Sequence, residues 1–159
     1  MSDLISDGKT RVAWLSTVAN INAPTVAELT AGADYTKRIT PDGLKVDPST
    51  ADVDTSSLAS TFDTKTAGRV GFDTELTFKR GDTVGDDAPY TTLKYGVSGF
   101  LVIRRGVAYS TAWTVGQKVE VYPITCGEPQ NSSPAANEVM KFVSPMKVTD
   151  APATSATVA

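Results

Sequence analysis

Two strand-like runs, Lys118–Thr125 (KVEVYPIT) and Val139–Val148 (VMKFVSPMKV), flank Cys126–Glu138, a stretch rich in Gly, Pro, Asn and Ser. Runs of this kind separated by turn residues pair antiparallel, so residues 118–148 read as one long β-hairpin. A second run, Arg69–Arg80 (RVGFDTELTFKR), alternates in character. Val70, Phe72, Leu76 and Phe78 fall on even positions; Asp73, Glu75 and Lys79 fall on odd ones. That period of two marks a half-buried strand, broken only at Thr74. Within Ser98–Arg105, the run from Gly99 is apolar through Ile103 and then doubly basic, which predicts a central strand buried on both faces. Arg11–Ser16 and Tyr90–Tyr95 add shorter strands. The helix signal is confined to Asn20–Gly32, where Pro24 suits a first turn, Glu28 the N-terminal half and Gly32 a stop. One or two turns are expected. The chain therefore reads as mainly β, a sandwich or barrel-like fold with one short flanking α-helix.

The remaining segments read as connections. Pro41-Asp42-Gly43 predicts a turn in which Pro presets the first corner and Gly takes positive φ. Short strands are expected around Ile39 and Leu44–Val46, then a long polar loop near 48–68. Gly81–Pro89 reads as a turn or loop, and Ala108–Trp113 as a loop or edge strand. Residues 1–150 form one domain on this reading, and Ala151–Ala159 (APATSATVA) is a low-complexity tail that would not fold alone.

The chain has no histidine among its 159 residues. That removes Ser-His-Asp and Cys-His catalysis and the commonest metal ligand. A single cysteine, Cys126, excludes an internal disulfide and a thiolate zinc cluster. With nothing to activate it, Cys126 reads as a small buried hydrophobe. The opening MSDLISDGKT lacks a basic segment followed by an apolar run, and no stretch reaches the roughly 18 apolar residues of a membrane span. A chain made in the cytosol and kept out of membranes is expected. The net charge of −3 argues against general nucleic-acid binding, which needs a basic face.

Other motifs weigh little. Gly8-Lys9-Thr10 resembles the end of a phosphate-binding loop, but Asp3 stands where the first glycine belongs. Asp82, Asp86 and Asp87 share a glycine-containing loop without calcium-loop spacing. Asn131-Ser132-Ser133 is a glycosylation sequon only in a secreted chain. Asp73 and Glu75 share a strand face, as solvated carboxylates of a hairpin often do. Trp14, Tyr109, Trp113 and Tyr122 are expected in core or interface before any ligand cleft. No catalytic residue, metal ligand or cofactor site is assigned, and no enzyme activity is expected.

Charge is distributed unevenly. Residues 34–90 hold eleven Asp/Glu against seven Lys/Arg, whereas residues 91–148 hold three Glu against six Lys/Arg. Opposite balances in two segments suit head-to-tail packing of copies. Arg104, Arg105, Asp82, Asp86, Asp87, Asp52 and Asp54 are the expected subunit-contact charges. Arg104 and Arg105 point to opposite faces of one strand, so one is expected to pair internally and the other to meet a neighbour.

The order of strand, short helix, acidic segment and strong paired strands resembles the major tail protein, or tail tube protein, of long-tailed actinobacterial phages. The stretches that carry the likeness are Val119–Gln130, where an alternating strand ends in Cys126-Gly127-Glu128-Pro129, the loop Pro134-Ala135-Ala136-Asn137, and the opening RVAWLSTVANINAPTVAEL. It covers roughly residues 10–149. The resemblance implies a fold shared with the tube protein of type VI secretion systems. It implies hexameric rings whose sheets join into a lumen wall and stack around a tape-measure protein, with terminator and tip proteins at the ends. It implies phage DNA passing without specific binding, and a virion tail component assembled in the host cytoplasm. The alternatives are a carbohydrate-binding β-sandwich module and a capsid-decorating protein.

Overall fold

The computed structural model describes residues 2–159, with 45% of residues in strands and 9% in helices. In chain order the elements are β1 (Thr10–Leu15), α1 (Val26–Ala31), β2 (Ala33–Asp34), a 3-10 turn (Thr36–Arg38), β3 (Ile39–Asp54) and β4 (Lys65–Lys79). There follow α2 (Ala88–Thr92), β5 (Ser98–Arg105), β6 (Lys118–Cys126), β7 (Gln130–Asn131), β8 (Lys141–Val148) and β9 (Ala153–Thr157). All nine strands belong to one antiparallel sheet in the order β2-β1-β5-β6-β8-β4-β3, with β7 added to β8 and β9 to β6.

The mainly β reading holds, but the expected long hairpin is confined to residues 124–148, because Lys118, Val119 and Val121 pair with β9 instead of β8. Cys126 pairs with Met146 and Thr125 with Lys147; beyond Gly127 the pairing resumes at Gln130 with Val143. The Gly127 N–H donates to Pro145 O at 2.8 Å and bridges the two paired stretches.

The sheet curls around one apolar interior. Val12 and Trp14, Leu101 and Ile103, Tyr122, Ile124 and Cys126, Leu76 and Phe78, and Phe142 and Met146 meet there. Phe72 on β4 makes an edge contact with Tyr122 on β6, centroids 5.5 Å apart, although β8 separates the two strands in the sheet. Phe78 stacks on Phe142 at 5.2 Å. Each such side chain taken from water contributes about 1.5–3 kcal/mol. The predicted even-numbered face of β4 is the buried one from Phe72 inward, and Thr74 lies on it, buried, between Phe72 and Leu76.

The outer side of β1, β5 and β6 is covered as well. Ala13, Leu15, Val102, Val119 and Val121 pack under Leu29 of α1, Trp113 and β9 residues Ala153 and Ala156. This second layer buries β5 on both faces, as its unbroken apolar run predicts. The outer side of β3, β4 and β8 has no such cover. Register places Lys45, Asp47, Asp73, Glu75, Lys79, Lys141 and Lys147 on it.

Several expectations are corrected. Tyr90–Tyr95 is not a strand, because Asp87–Pro89 starts the second short helix, α2, with proline in its first turn. Residues 48–54 and 65–68 are strand, so the connection is confined to 55–64; Thr and Val on both sides sustain the ladder. Pro41–Gly43 lies inside β3 as an irregularity between the Ile39–Phe78 and Leu44–Leu76 pairs. Gly43 has no positive φ there; a Cβ would stand 2.7 Å from Thr77 O, so close approach demands glycine. Gly99 is required likewise, since a Cβ would meet the Trp14 ring at 2.5 Å. The last nine residues are not a free tail. β9 pairs with the N-terminal half of β6, and Ala153, Ala156 and Val158 are buried.

Helix α1 is short, and its cap is complete. Thr25 Oγ1 accepts the Glu28 N–H at 3.2 Å, while Glu28 accepts the N–H groups of Thr25 (3.1 Å) and Ala19 (2.9 Å). Those donors, Ala19 first, hold the Glu28 carboxyl below its usual range. A depressed carboxyl stabilises the fold above the ordinary carboxylate range and loses that contribution as pH falls through its lowered value. The cap predicts that Thr25→Ala costs about 1 kcal/mol in urea unfolding at neutral pH, and that the difference shrinks in acid.

Candidate assembly surface

Among the described residues no group of three or more Cys, Asp or Glu is placed to hold a metal. Asp82, Asp86 and Asp87 do not converge. Asp87 is taken by Arg80, Nε to Oδ1 2.8 Å and Nη2 to Oδ2 2.9 Å, and this guanidinium holds the Asp87 carboxyl below its usual range. Asp86 accepts from Thr83 Oγ1 at 3.1 Å. Cys126 is buried, and burial pushes its thiol up to about 11, far from a nucleophile's range. Asp73 is paired with Lys45 at 2.9 Å on the open sheet face. A groove of about 670 Å³ between α1, β2 and α2 is lined by Trp14, Ala27, Ala31, Tyr35 and Ala88, and its one carboxylate, Glu28, is already held by the cap.

The four aromatic residues singled out above are engaged inside the chain. Trp14 and Tyr122 are core, and Tyr122 OH donates to Glu120 at 2.7 Å. Trp113 is buried between two guanidinium groups, Arg11 at 5.0 Å and Arg104 at 4.9 Å from its centroid. Arg11 also approaches Tyr109, whose hydroxyl donates to Asp34 at 3.1 Å. Trp113, the ring on which the carbohydrate-binding alternative leaned, is thus buried and engaged inside the chain.

The predicted contact charges divide. Arg104 is not a surface group: it is 0% exposed. It donates to Ala108 O (3.0 Å), Ala112 O (3.3 Å) and Gln117 Oε1 (3.2 Å), so it staples the 106–117 connection to β5. The second arginine of the pair alternates to the other face as expected. Arg105 is exposed, but its Nε lies 2.6 Å from Glu120 Oε2 of the same chain. Asp52 lies 3.7 Å from Lys65, and Asp54 accepts the Ser56 N–H at 2.8 Å. Asp52, Asp54, Asp82 and Asp86 are all exposed.

Two features emerge that residue patterns did not reveal. One is an open edge: β3 ends the sheet, and its 16 residues pair on one side only. The other is an arm. Past the Thr50–Val70 pair, β3 and β4 continue as a two-stranded ribbon, with Asp52–Ala67, Val53–Thr66 and Asp54–Lys65 pairs. Every residue from Asp47 to Thr55 is exposed. A lone ribbon without a packed face is marginal in water. Open edges of this length are a liability unless another chain covers them.

An open sheet edge and a projecting arm are the two features of this surface that the chain itself leaves uncovered. The chain belongs to the phage tail tube protein family, whose description it matches over residues 1–159. The family is structural and viral, and its members are tail components. Among solved structures, the chain is similar to a chain of the anti-feeding prophage baseplate, determined by cryo-EM with six-fold symmetry applied. The TM-score is 0.55 at 14% identity, covering 94% of this chain and 95% of that one, a likeness of fold. No curated protein matches the sequence. Among the described residues no helix is long and apolar enough to cross a membrane.

Proposed function

We propose that this chain is the repeating subunit of a phage tail tube. Copies join side by side into rings, rings stack into a tube, and the tube conducts the genome. The observation that carries this reading is the open edge of β3. Pairing it with a neighbour's sheet satisfies its backbone groups and makes a head-to-tail contact that closes when the rotation per subunit divides a full turn. Six-fold closure is the symmetry taken over from the structural neighbour. Pro41 and Pro48, with Asp42, Asp47, Asp52 and Asp54, blunt the edge against indiscriminate pairing. Arg105, Asp52, Asp54, Asp82 and Asp86 are the exposed charges assigned to subunit contacts. Arg104 and Asp87 are withdrawn from that role.

The bore and the tube ends set the other partners: a tape-measure protein inside, and terminator and tip proteins at the ends. The subunit is made and assembled in the host cytoplasm and leaves in the virion tail. On the uncovered face of β3, β4 and β8, Lys45, Lys79, Lys141 and Lys147 are interspersed with Asp47, Asp73 and Glu75. A surface so balanced offers no basic track for phosphates, so DNA passes without capture.

Negative-stain electron microscopy of concentrated protein, beside size-exclusion chromatography, tests the reading. Rings or hollow tubes of uniform width are expected, and averaged end views give the symmetry. A chain that stays monomeric at every concentration, and that antibody labelling does not find along virion tails, overturns it.

A further inference from the structure

Two Asp-Gly pairs occur in the chain, Asp7-Gly8 and Asp42-Gly43, and the fold places them in opposite surroundings. A glycine leaves its backbone nitrogen open to the preceding aspartate side chain, because it carries no Cβ to stand in the way. Asp7 and Gly8 are exposed and form the centre of a tight turn, closed by the Lys9 N–H on Ser6 O at 3.1 Å. Gly8 has φ 67°, and a Cβ built on it would meet nothing within 4 Å. Among the described residues neither the Gly8 N–H nor the Asp7 carboxylate is hydrogen-bonded or ion-paired.

The second pair is enclosed. Gly43 is buried within β3, where a Cβ would stand 2.7 Å from Thr77 O and against Thr40 Oγ1. Thr40 Oγ1 also donates to Asp42 Oδ1 at 3.3 Å. The Ile39–Phe78 and Leu44–Leu76 pairs hold the strand on either side. Asn131-Ser132, the amide counterpart of such a pair, is held as well. Asn131 Oδ1 accepts from Arg80 Nη1 at 2.8 Å, its Nδ2 donates to Tyr90 OH at 3.3 Å, and the Ser132 N–H is already given to Lys141 O at 3.0 Å.

We propose that Asp7 is a site of isoaspartate formation, and that the fold withholds Asp42 from the same reaction. The Gly8 backbone nitrogen attacks Cγ of the protonated Asp7 carboxyl. The N–Cγ bond forms, the amide proton and the carboxyl hydroxyl leave as water, and a succinimide results. Water then adds back to the ring. Opening at Cγ restores aspartate; opening at the main-chain carbonyl routes the backbone through Cβ and leaves a free α-carboxylate. Mass is unchanged overall, and no oxidant or cofactor takes part. At Asp42 the same closure has to swing Cγ onto a nitrogen flanked by Thr40 and Thr77. The extra backbone atom in isoaspartate lengthens the Ser6–Lys9 turn. Gly8 O and Lys9 O accept the N–H groups of Tyr109 and Gly106, both at 2.8 Å, so the change reaches the 106–117 connection.

Ageing the folded full-length chain for weeks in neutral buffer, then tryptic digestion with liquid chromatography and mass spectrometry, tests the site. The peptide ending at Lys9 is expected to split into two peaks of equal mass, the new one accepting a methyl group from an isoaspartate methyltransferase. Peptide 39–45, which carries Asp42-Gly43, is expected to stay a single peak. In urea both peptides split, and D7E removes the new peak from the first, because the larger ring that glutamate needs closes far more slowly. A first peptide that stays single in the folded chain yet splits in urea overturns the site. A 39–45 peptide that splits as fast folded as in urea overturns the protection of Asp42. Amide exchange at Tyr109 is expected to quicken in the isomerised chain; exchange equal to that of fresh protein overturns the reach into the 106–117 connection.

Discussion

A chain ending at Pro152 loses most of its stability. Removing residues 153–159 deletes β9, whose Ala153 and Ala156 are buried over β6 together with Val158 beyond the strand. The truncation also exposes Val119, Val121 and Trp113 in the outer apolar layer and frees the edge of β6 from Lys118 to Val121. The end of helix α1 is undone with it, since Ala159 donates to Pro24 O at 2.9 Å and Thr157 to Asn22 O at 3.2 Å. The expected loss is roughly 3–5 kcal/mol, a large part of what a domain of this size has to spare. Urea unfolding of the truncated and full-length monomer measures it. A midpoint unchanged by the truncation means that the outer layer is held by α1 and Trp113 without β9. The freed β6 edge predicts a second symptom: the truncated chain aggregates at concentrations where the full chain stays soluble.

The residues that announced themselves in the sequence are those whose neighbours are close along the chain. The turn-proximal part of the hairpin, residues 124–148, the alternation of β4 and the twice-covered β5 each follow from spacing alone, because pleat and turn fix which side chains share a face. What escaped depends on distant partners. Ala151–Ala159 reads as featureless because its small side chains matter only once β6 and α1 lie beneath them. The acidic 48–68 segment reads as a loop because its strands bury nothing, so no apolar period marks them. Arg104 reads as a surface charge because sequence cannot show that the 106–117 connection folds back over it with three acceptors. Tyr90–Tyr95 reads as strand from its aromatic ends, while Pro89 and the Arg80–Asp87 pair decide for helix. The assembly surface was legible only as an imbalance of charge between two halves. Its geometry, an open β3 edge that runs out into an exposed acidic arm, appears once β3 and β4 are seen to pair over their whole length.

The two adjacent arginines separate stability from assembly in one experiment. Arg104→Met keeps the aliphatic stem against Trp113 and removes the guanidinium. Ala108 O, Ala112 O and Gln117 Oε1 then lose a charged donor, although Ala112 O keeps Thr114 Oγ1 and Gln117 Nε2 and Gln117 Oε1 keeps the Thr114 N–H. The cation–π contact at 4.9 Å goes as well. Against these losses stands relief. Burial, with Arg11 directly across the strand pair, already pulls the Arg104 guanidinium below its usual range, so the charge is held at a cost. Loss of three charge-assisted hydrogen bonds outweighs that relief, and about 2 kcal/mol of destabilisation is expected. Arg105→Met removes an exposed ion pair with Glu120 and changes monomer stability by about 0.5 kcal/mol, after screening. Its effect belongs to assembly, where loss of an exposed cation at a subunit contact slows ring formation. Melting of the monomers together with sedimentation of the assembled protein reads both. A stable Arg104→Met monomer that fails to form rings returns Arg104 to the interface; a melted monomer fixes it as the staple of the 106–117 connection.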